Sequence, residues 1–304
     1  VRSSGRLTTE TTKPIESKDG KSILKFVCLQ EKKKSAKKDV KTHRKKVTLV
    51  VGFPGAGLVG SISANYLIEK MNLRQVAFVD SDYVLPTIIY IGGRLRHPFR
   101  IYSNKERTLY IMVCEAPVMP VGINSIMDLI ATWALRYDIG EVIVLDGIAS
   151  PGLPALDRTP EILRSYFTDQ VDIALASSKK PHQADDSSVD LKEKPKVRSA
   201  VIAGLSAGVL EACLSSNIAC TGILIPTTSG VPDPEGAAIL LETISKIPNV
   251  HIEVDVGPLR REGEEIKKQL ATFIAELRAQ QLEGRTSEER NGSSPYLGKP
   301  AIYG

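Results

Sequence analysis

Three short motifs carry residue types and spacings able to do chemistry. Gly55, Gly57 and Gly60 form a G-x-G-x-x-G inside the run Gly52-Phe53-Pro54-Gly55-Ala56-Gly57-Leu58-Val59-Gly60, and Asp80 stands twenty residues further on. In a dinucleotide fingerprint such glycines let the backbone approach a pyrophosphate at a helix N-terminus, while the acid takes the ribose hydroxyl. The same residues can equally make a tight strand-to-helix turn whose glycines permit close packing, and Pro54 removes one amide donor from the loop. A hydride-transfer reading also lacks an evident acid–base partner. The histidines are His43, His97, His182 and His251, and two of them fall in charged, aperiodic stretches.

Gly204-Leu205-Ser206-Ala207-Gly208 is a G-x-S-x-G, the sequence of a hydrolase nucleophile elbow when a strand precedes it and a helix follows. The order Ser206, Asp233, His251 would complete a triad. Against that, Asp233 stands directly before Pro234, where a helix needs its cap, and His251 opens an apolar run. The third motif is Ile302-Tyr303-Gly304, carried on a segment rich in Gly, Ser and Pro. There Ile302 and the Tyr303 ring can fill an apolar cleft while a Gly304 carboxylate meets a cation, a short-peptide recognition mode.

The elements that must position these motifs follow from periodicity. Short β-branched runs at 47–52, 75–80, 87–91, 108–114, 141–146, 198–203, 219–226 and 250–254 predict strands, several of them apolar throughout, as strands buried on both faces are. Between them, Ile126, Leu129, Ile130, Trp133 and Tyr137 recur at helical spacing and stop at Gly140. Asp233 and Pro234 open a helix with Ala237, Leu241, Ile244 and Ile247 on one face, and Pro258 starts a last one. Strands alternating with helices predict a single three-layer α/β domain over 22–282 with a mainly parallel sheet, Rossmann-like in outline. Residues 1–21 read as a disordered polar tail preceding a strand at 23–29, 31–46 as a basic loop, 177–196 as a mobile insertion and 283–304 as a flexible tether. A tether of that length spans about 25 Å root-mean-square.

The charge needs splitting before it is used. Over 304 residues the net charge is +5, but residues 1–46 hold 15 Lys/Arg against 5 Asp/Glu, leaving 25 against 30 in the rest. A basic leader thus precedes an acidic body, which argues against nucleic acid as the partner of the folded surface. Cys28, Cys114, Cys213 and Cys220 form no CxxC pair and sit among apolar neighbours, the pattern of reduced core thiols in a cytoplasmic protein without a zinc site. The longest uncharged stretch, 47–68, is broken by Gly and Pro and reads as strand, loop and helix instead of a membrane span. No signal peptide is evident.

Three stretches together carry a resemblance. VTLVVGFPGAGLVGSISANYLIEKMNL (47–73), SAVIAGLSAGVLEACLSSNIACTGILIPT (199–227) and VPDPEGAAILLETISKI (231–247) resemble the proteasome assembly chaperone family, in particular the second-chaperone type with archaeal homologues. The resemblance implies a fold related to nucleoside-phosphorylase-like sheets and an ATP-independent chaperone or adaptor instead of an enzyme, with no cofactor and no metal. It further implies a homo-oligomeric ring whose C-terminal hydrophobic-Tyr-X tails enter pockets between proteasome α subunits of the core particle; Ile302, Tyr303 and Gly304 match that tail position by position. The glycine turn and the G-x-S-x-G fall inside the family's core stretches, which favours their packing roles. The remaining enzyme alternative is a nucleotide-dependent catalyst using Gly55, Gly57, Gly60 and Asp80.

Overall fold

A computed structural model describes residues 13–27, 47–150, 158–165, 201–247, 250 and 252–269. Its strands are β1 (Ile15–Glu16), β2 (Ser22–Phe26), β3 (Val47–Gly52), β4 (Arg74–Ser81), β5 (Ile89–Ile91), β6 (Arg94–Arg96), β7 (Phe99–Ser103), β8 (Leu109–Cys114), β9 (Ile139–Ala149), β10 (Glu161–Arg164) and β11 (Cys220–Thr227). The helices are α1 (Val59–Lys70), α2 (Ile123–Arg136), α3 (Gly204–Ser215), α4 (Pro234–Ser245) and α5, which begins at Gly257.

Among the described residues nine strands form one sheet in the order β1-β2-β4-β7-β8-β3-β9-β11-β10, and β5 pairs only with β6. The parallel part is the centre: β8, β3, β9 and β11 run the same way. Both flanks are antiparallel. The central strands alternate between two cores because both faces are covered. Leu49, Val51, Tyr110, Met112, Val142 and Val144 face one core, closed by Ile126, Met127 and Trp133 of α2 and Val209 and Cys213 of α3. Val50, Ile111, Val113, Ile143, Leu145 and Ile223 face the other, closed by Val59 and Leu67 of α1, Leu240, Leu241 and Ile244 of α4, and Leu259 of α5. The architecture is therefore three-layer α/β, as the alternation of runs predicts.

Several expectations change in detail. Residues 13–21 are not part of a disordered tail: Ile15 is buried in the first core, and the Asp19 carboxylate accepts hydrogen bonds from Ser17, Ser125, Tyr83 and the Lys21 N–H. Those bonds hold the Asp19 carboxyl far below its usual range. The segment 201–203 is not a strand, and Val201 is exposed. Nor is 252–254 a strand, although Val250 and Ile252 are buried against α4 and its neighbours. In contrast, β7 and β10 escape periodicity because each carries charge. Arg100 of β7 is fully buried, and it is tolerated there because it donates to the Tyr102 hydroxyl (2.9 Å), the His97 carbonyl (2.5 Å) and Glu115 (2.5 Å). Cys114, Cys213 and Cys220 are buried, and burial pushes the Cys114 thiol up to about 11. The basic loop at 31–46, the insertion at 177–196 and the tether at 283–304 lie outside the described residues, as does Cys28. No helix among the described residues is long and apolar enough to cross a membrane.

The Trp133 side chain joins α2 to the sheet, its ring edge-on to Tyr110 of β8 at 5.2 Å between centroids. We expect Trp133→Ala to cost about 3–5 kcal/mol, read as a lower urea midpoint with an unchanged slope.

Candidate functional site

In an open α/β sheet the carboxyl ends of the parallel strands are where ligands bind, at the crevice where neighbouring connections leave on opposite faces. Here that crevice lies between β3, which is followed by α1 on one face, and β9, from which the chain reaches β11 by way of α3 on the other. The Gly55–Gly60 turn leads from β3 into α1 at this place. Gly57 sits at φ 62°, a conformation glycine adopts without strain.

The glycines of this turn face the protein itself. A Cβ on Gly55 would strike the Asp146 carboxylate at the end of β9, and one on Gly57 would strike Thr227 at the end of β11. On Gly60 it would meet the carbonyl oxygens of Leu145 and Phe53. The Gly57 carbonyl accepts from the Asp233 N–H at 2.8 Å, so the turn is stitched to the start of α4. Close packing against β9 and β11 accounts for all three glycines. Asp80 sits apart from the turn: β7 and β8 separate β4 from β3, a lateral offset of about 14 Å at ~4.8 Å per strand. Its carboxylate pairs with Lys25 at 2.6 Å. The ribose-binding half of a dinucleotide fingerprint is therefore not assembled with its glycines.

The hydrolase constellation is likewise not brought together. Ser206 lies in the first turn of α3, preceded by the irregular segment 201–203 instead of the strand a nucleophile elbow requires. Its hydroxyl is buried and bonds to Asp146. Asp233 is engaged elsewhere, and His251 lies outside the described residues.

What the strand ends do hold is a polar cluster centred on Asp233. Its carboxylate caps α4 by accepting from the Gly236 N–H at 2.8 Å, as the Asp-Pro pair predicts. It also accepts from Thr227 Oγ1 at 2.7 Å and forms a two-pronged pair with Arg158, whose Nη2 lies 2.6 Å from Oδ1 and whose Nη1 bonds to Oδ2. Arg158 Nη1 further donates to the Pro226 carbonyl at 2.8 Å. Burial works to raise the Asp233 carboxyl, but the Arg158 and Thr227 bonds, the Gly236 N–H and the Arg158 charge outweigh it and hold it below the ordinary range. Burial pushes the Asp146 carboxyl up, no cation among the described residues offsetting it, in spite of bonds from Ser206 and the Gly147 N–H, the latter at 2.7 Å. A second group, Arg100 with Glu115 and Asn65 Nδ2 (3.0 Å to Glu115), sits where β7 begins and β8 ends.

Sequence reasoning found Asp233 as a cap and the glycines as a turn. It missed Arg158, Asp146, Thr227, Arg100 and Glu115. Asp146 had a visible signal, a carboxylate closing the apolar run 142–145; Arg158 had none, being 75 residues from its partner. Ile302, Tyr303 and Gly304 lie outside the described residues.

Fold and strand-end cluster define a three-layer α/β protein whose switch-point crevice is packed by its own glycine turn. The PAC2 family profile matches residues 49–274, and the chain belongs to that family. An uncharacterized protein of Methanocaldococcus jannaschii is 25% identical over 228 residues, covering 73% of this chain and 83% of its own. Among solved structures, Pyrococcus furiosus PbaA, described as an archaeal homolog of proteasome-assembly chaperone, superimposes with a TM-score of 0.61 at 22% identity, covering 82% of this chain and 95% of its own. P. furiosus PbaB, described as an archaeal proteasome activator, gives 0.59 at 16% identity over 83% and 98%. At these identities the two structures speak for the fold, including its likeness to the assembly-chaperone architecture.

Two outcomes follow for the cluster. Asp233→Ala leaves Arg158 charged, buried and unpaired, and should cost about 3–5 kcal/mol. Since the Asp233 carboxyl is depressed, its contribution is present above the ordinary carboxylate value and lost as pH falls through the folded value, so wild type and variant should converge in stability in strong acid. For Asp146 the sign reverses: a raised carboxyl favours the fold below its ordinary value and loses that contribution as pH rises through the folded one. Asp146→Asn, which retains an acceptor for Ser206, should raise the thermal midpoint at pH 7–8 and leave it little changed near pH 4.

Proposed function

We propose that this protein acts in proteasome assembly as an ATP-independent chaperone or adaptor, with copies of the chain associating and the segment Ile302-Tyr303-Gly304 engaging pockets of the proteasome α subunits. The observation that carries the reading is the PAC2 family match across residues 49–274, joined to a fold shared with a protein described as a homolog of proteasome-assembly chaperone and another described as a proteasome activator. A binding role is also favoured over catalysis by the strand-end cluster, whose Asp233, Arg158 and Thr227 spend their hydrogen bonds on one another.

In this mechanism each tail binds weakly and association of the chain makes the tails multivalent, so that a first contact raises the effective concentration of the next. Ile302 contributes apolar burial and Tyr303 a ring with a polar tip. The body supplies a rigid platform, its two cores fixed by the central strands, and no nucleotide is consumed. The cytoplasm is the compartment this role requires.

The test is capture of proteasome α subunits and assembled core particles by the full chain, by Tyr303→Ala, and by a form lacking Tyr303 and Gly304. Both altered forms should lose capture while unfolding at the same temperature as the full chain. Equal capture by all three would sink the tail mechanism.

A further inference from the structure

The β5–β6 hairpin stands outside the main sheet, and its two faces differ. In its register Ile89 lies opposite Arg96 and Tyr90 opposite Leu95, so the first pair shares one face and the second pair the other. The Ile89/Arg96 face is turned to the body, where Arg96 Nη1 donates to Gln75 Oε1 at 3.1 Å. The Tyr90/Leu95 face is turned to solvent, with both residues 72% exposed and Ile88 61% exposed on the same side of the ribbon.

Further exposed apolar residues lie on the segment leading into the hairpin and on the segment paired with it. Residues 83–85 run beside 117–119 through the Val84–Val118 bridge, the Leu85 N–H to Pro117 carbonyl bond (3.0 Å) and the Met119 N–H to Tyr83 carbonyl bond (2.8 Å). This places Leu85 and Met119 on one ladder, with Val121, 79% exposed, in the turn that follows. Leu85, Ile88, Tyr90, Leu95, Met119 and Val121 together expose the equivalent of between three and four whole side chains, or about 700 Å² at roughly 200 Å² each. The largest apolar patch on a typical monomer is about 300–600 Å². One partner in a standard interface contributes about 800 Å².

We infer that this surface is where two copies of the chain meet, the Tyr90/Leu95 face of one hairpin packing against the same surface of the next. Two features select a second copy as the occupant. The outward face carries no charged side chain, since Arg94 and Arg96 lie on the other face, so identical faces meet without burying like charges. The exposed area is close to what one side of a stable interface needs, so the patch can serve without recruiting the acidic remainder of the surface. The inference takes from the proposed function only that copies associate, and it is independent of what the tail binds.

The experiment measures molar mass by sedimentation for the full chain, for the double variant Tyr90→Ser/Leu95→Ser, and for the form lacking Tyr303 and Gly304. The full chain and the tail-deleted form should share an associated mass, and the double variant should fall to half of it or less, with unchanged far-ultraviolet circular dichroism. Amides of 88–96 in the full chain should exchange more slowly as concentration rises. A full chain that stays single across the micromolar range, a double variant of unchanged mass, or exchange at 88–96 indifferent to concentration would each overturn the inference. A single full chain whose α-subunit capture is lost in the double variant would assign the patch to another protein and likewise overturn it. Loss of capture in the tail-deleted form, with mass retained, bears on the tail alone.

Discussion

Asp233 binds four parts of the chain that would otherwise only lie near one another. Its carboxylate closes the N-terminus of α4, holds Thr227 at the end of β11 and pairs with Arg158 in the segment before β10, and its backbone N–H donates to the Gly57 carbonyl of the glycine turn that follows β3. A buried ion pair of this kind offers little net gain over apolar packing, but it is costly to break and strict about geometry. That strictness is what the strand ends need. Loops gathered at one edge of a parallel sheet have no ladder of their own, and a single residue shared among them sets their relative positions.

The same constraint explains why motifs suggestive of catalysis turn out to be architecture. The glycines at 55, 57 and 60 are small because a side chain there would collide with the ends of β9 and β11. Ser206 turns its hydroxyl toward a buried carboxylate, helping to satisfy Asp146 instead of presenting a nucleophile. Function on a widely shared fold has to be argued from its site, and here the crevice the fold would ordinarily offer is occupied from within.

The layer architecture was legible in the sequence wherever burial on both faces left its mark. The runs of β3, β8, β9 and β11 are apolar because they meet helices on either side, and the Asp233-Pro234 start of α4 follows from capping chemistry alone. The flanks were less legible. Arg100 sits inside β7, and Glu161 and Arg164 bound β10, so charge interrupts the pattern that periodicity relies on. Conversely, the apolar residues Val250 and Ile252 are buried without belonging to a strand, because hydrophobic burial does not require a ladder. The Arg158–Asp233 pair could not be read at all: the residues are 75 positions apart, and nothing local marks either as the other's partner.

The ordering of the sheet carries one more consequence. Among the described residues its outermost strands are β1, two residues long, and β10, four residues long. Backbone groups left open along a sheet margin are a template for another chain, and natural proteins blunt that template by keeping marginal strands short. With so little ladder on offer at either side, this sheet does not invite continuation from molecule to molecule. Margins this short favour assembly read out by side chains, which can specify orientation and number, over the indiscriminate hydrogen bonding that leads to fibres.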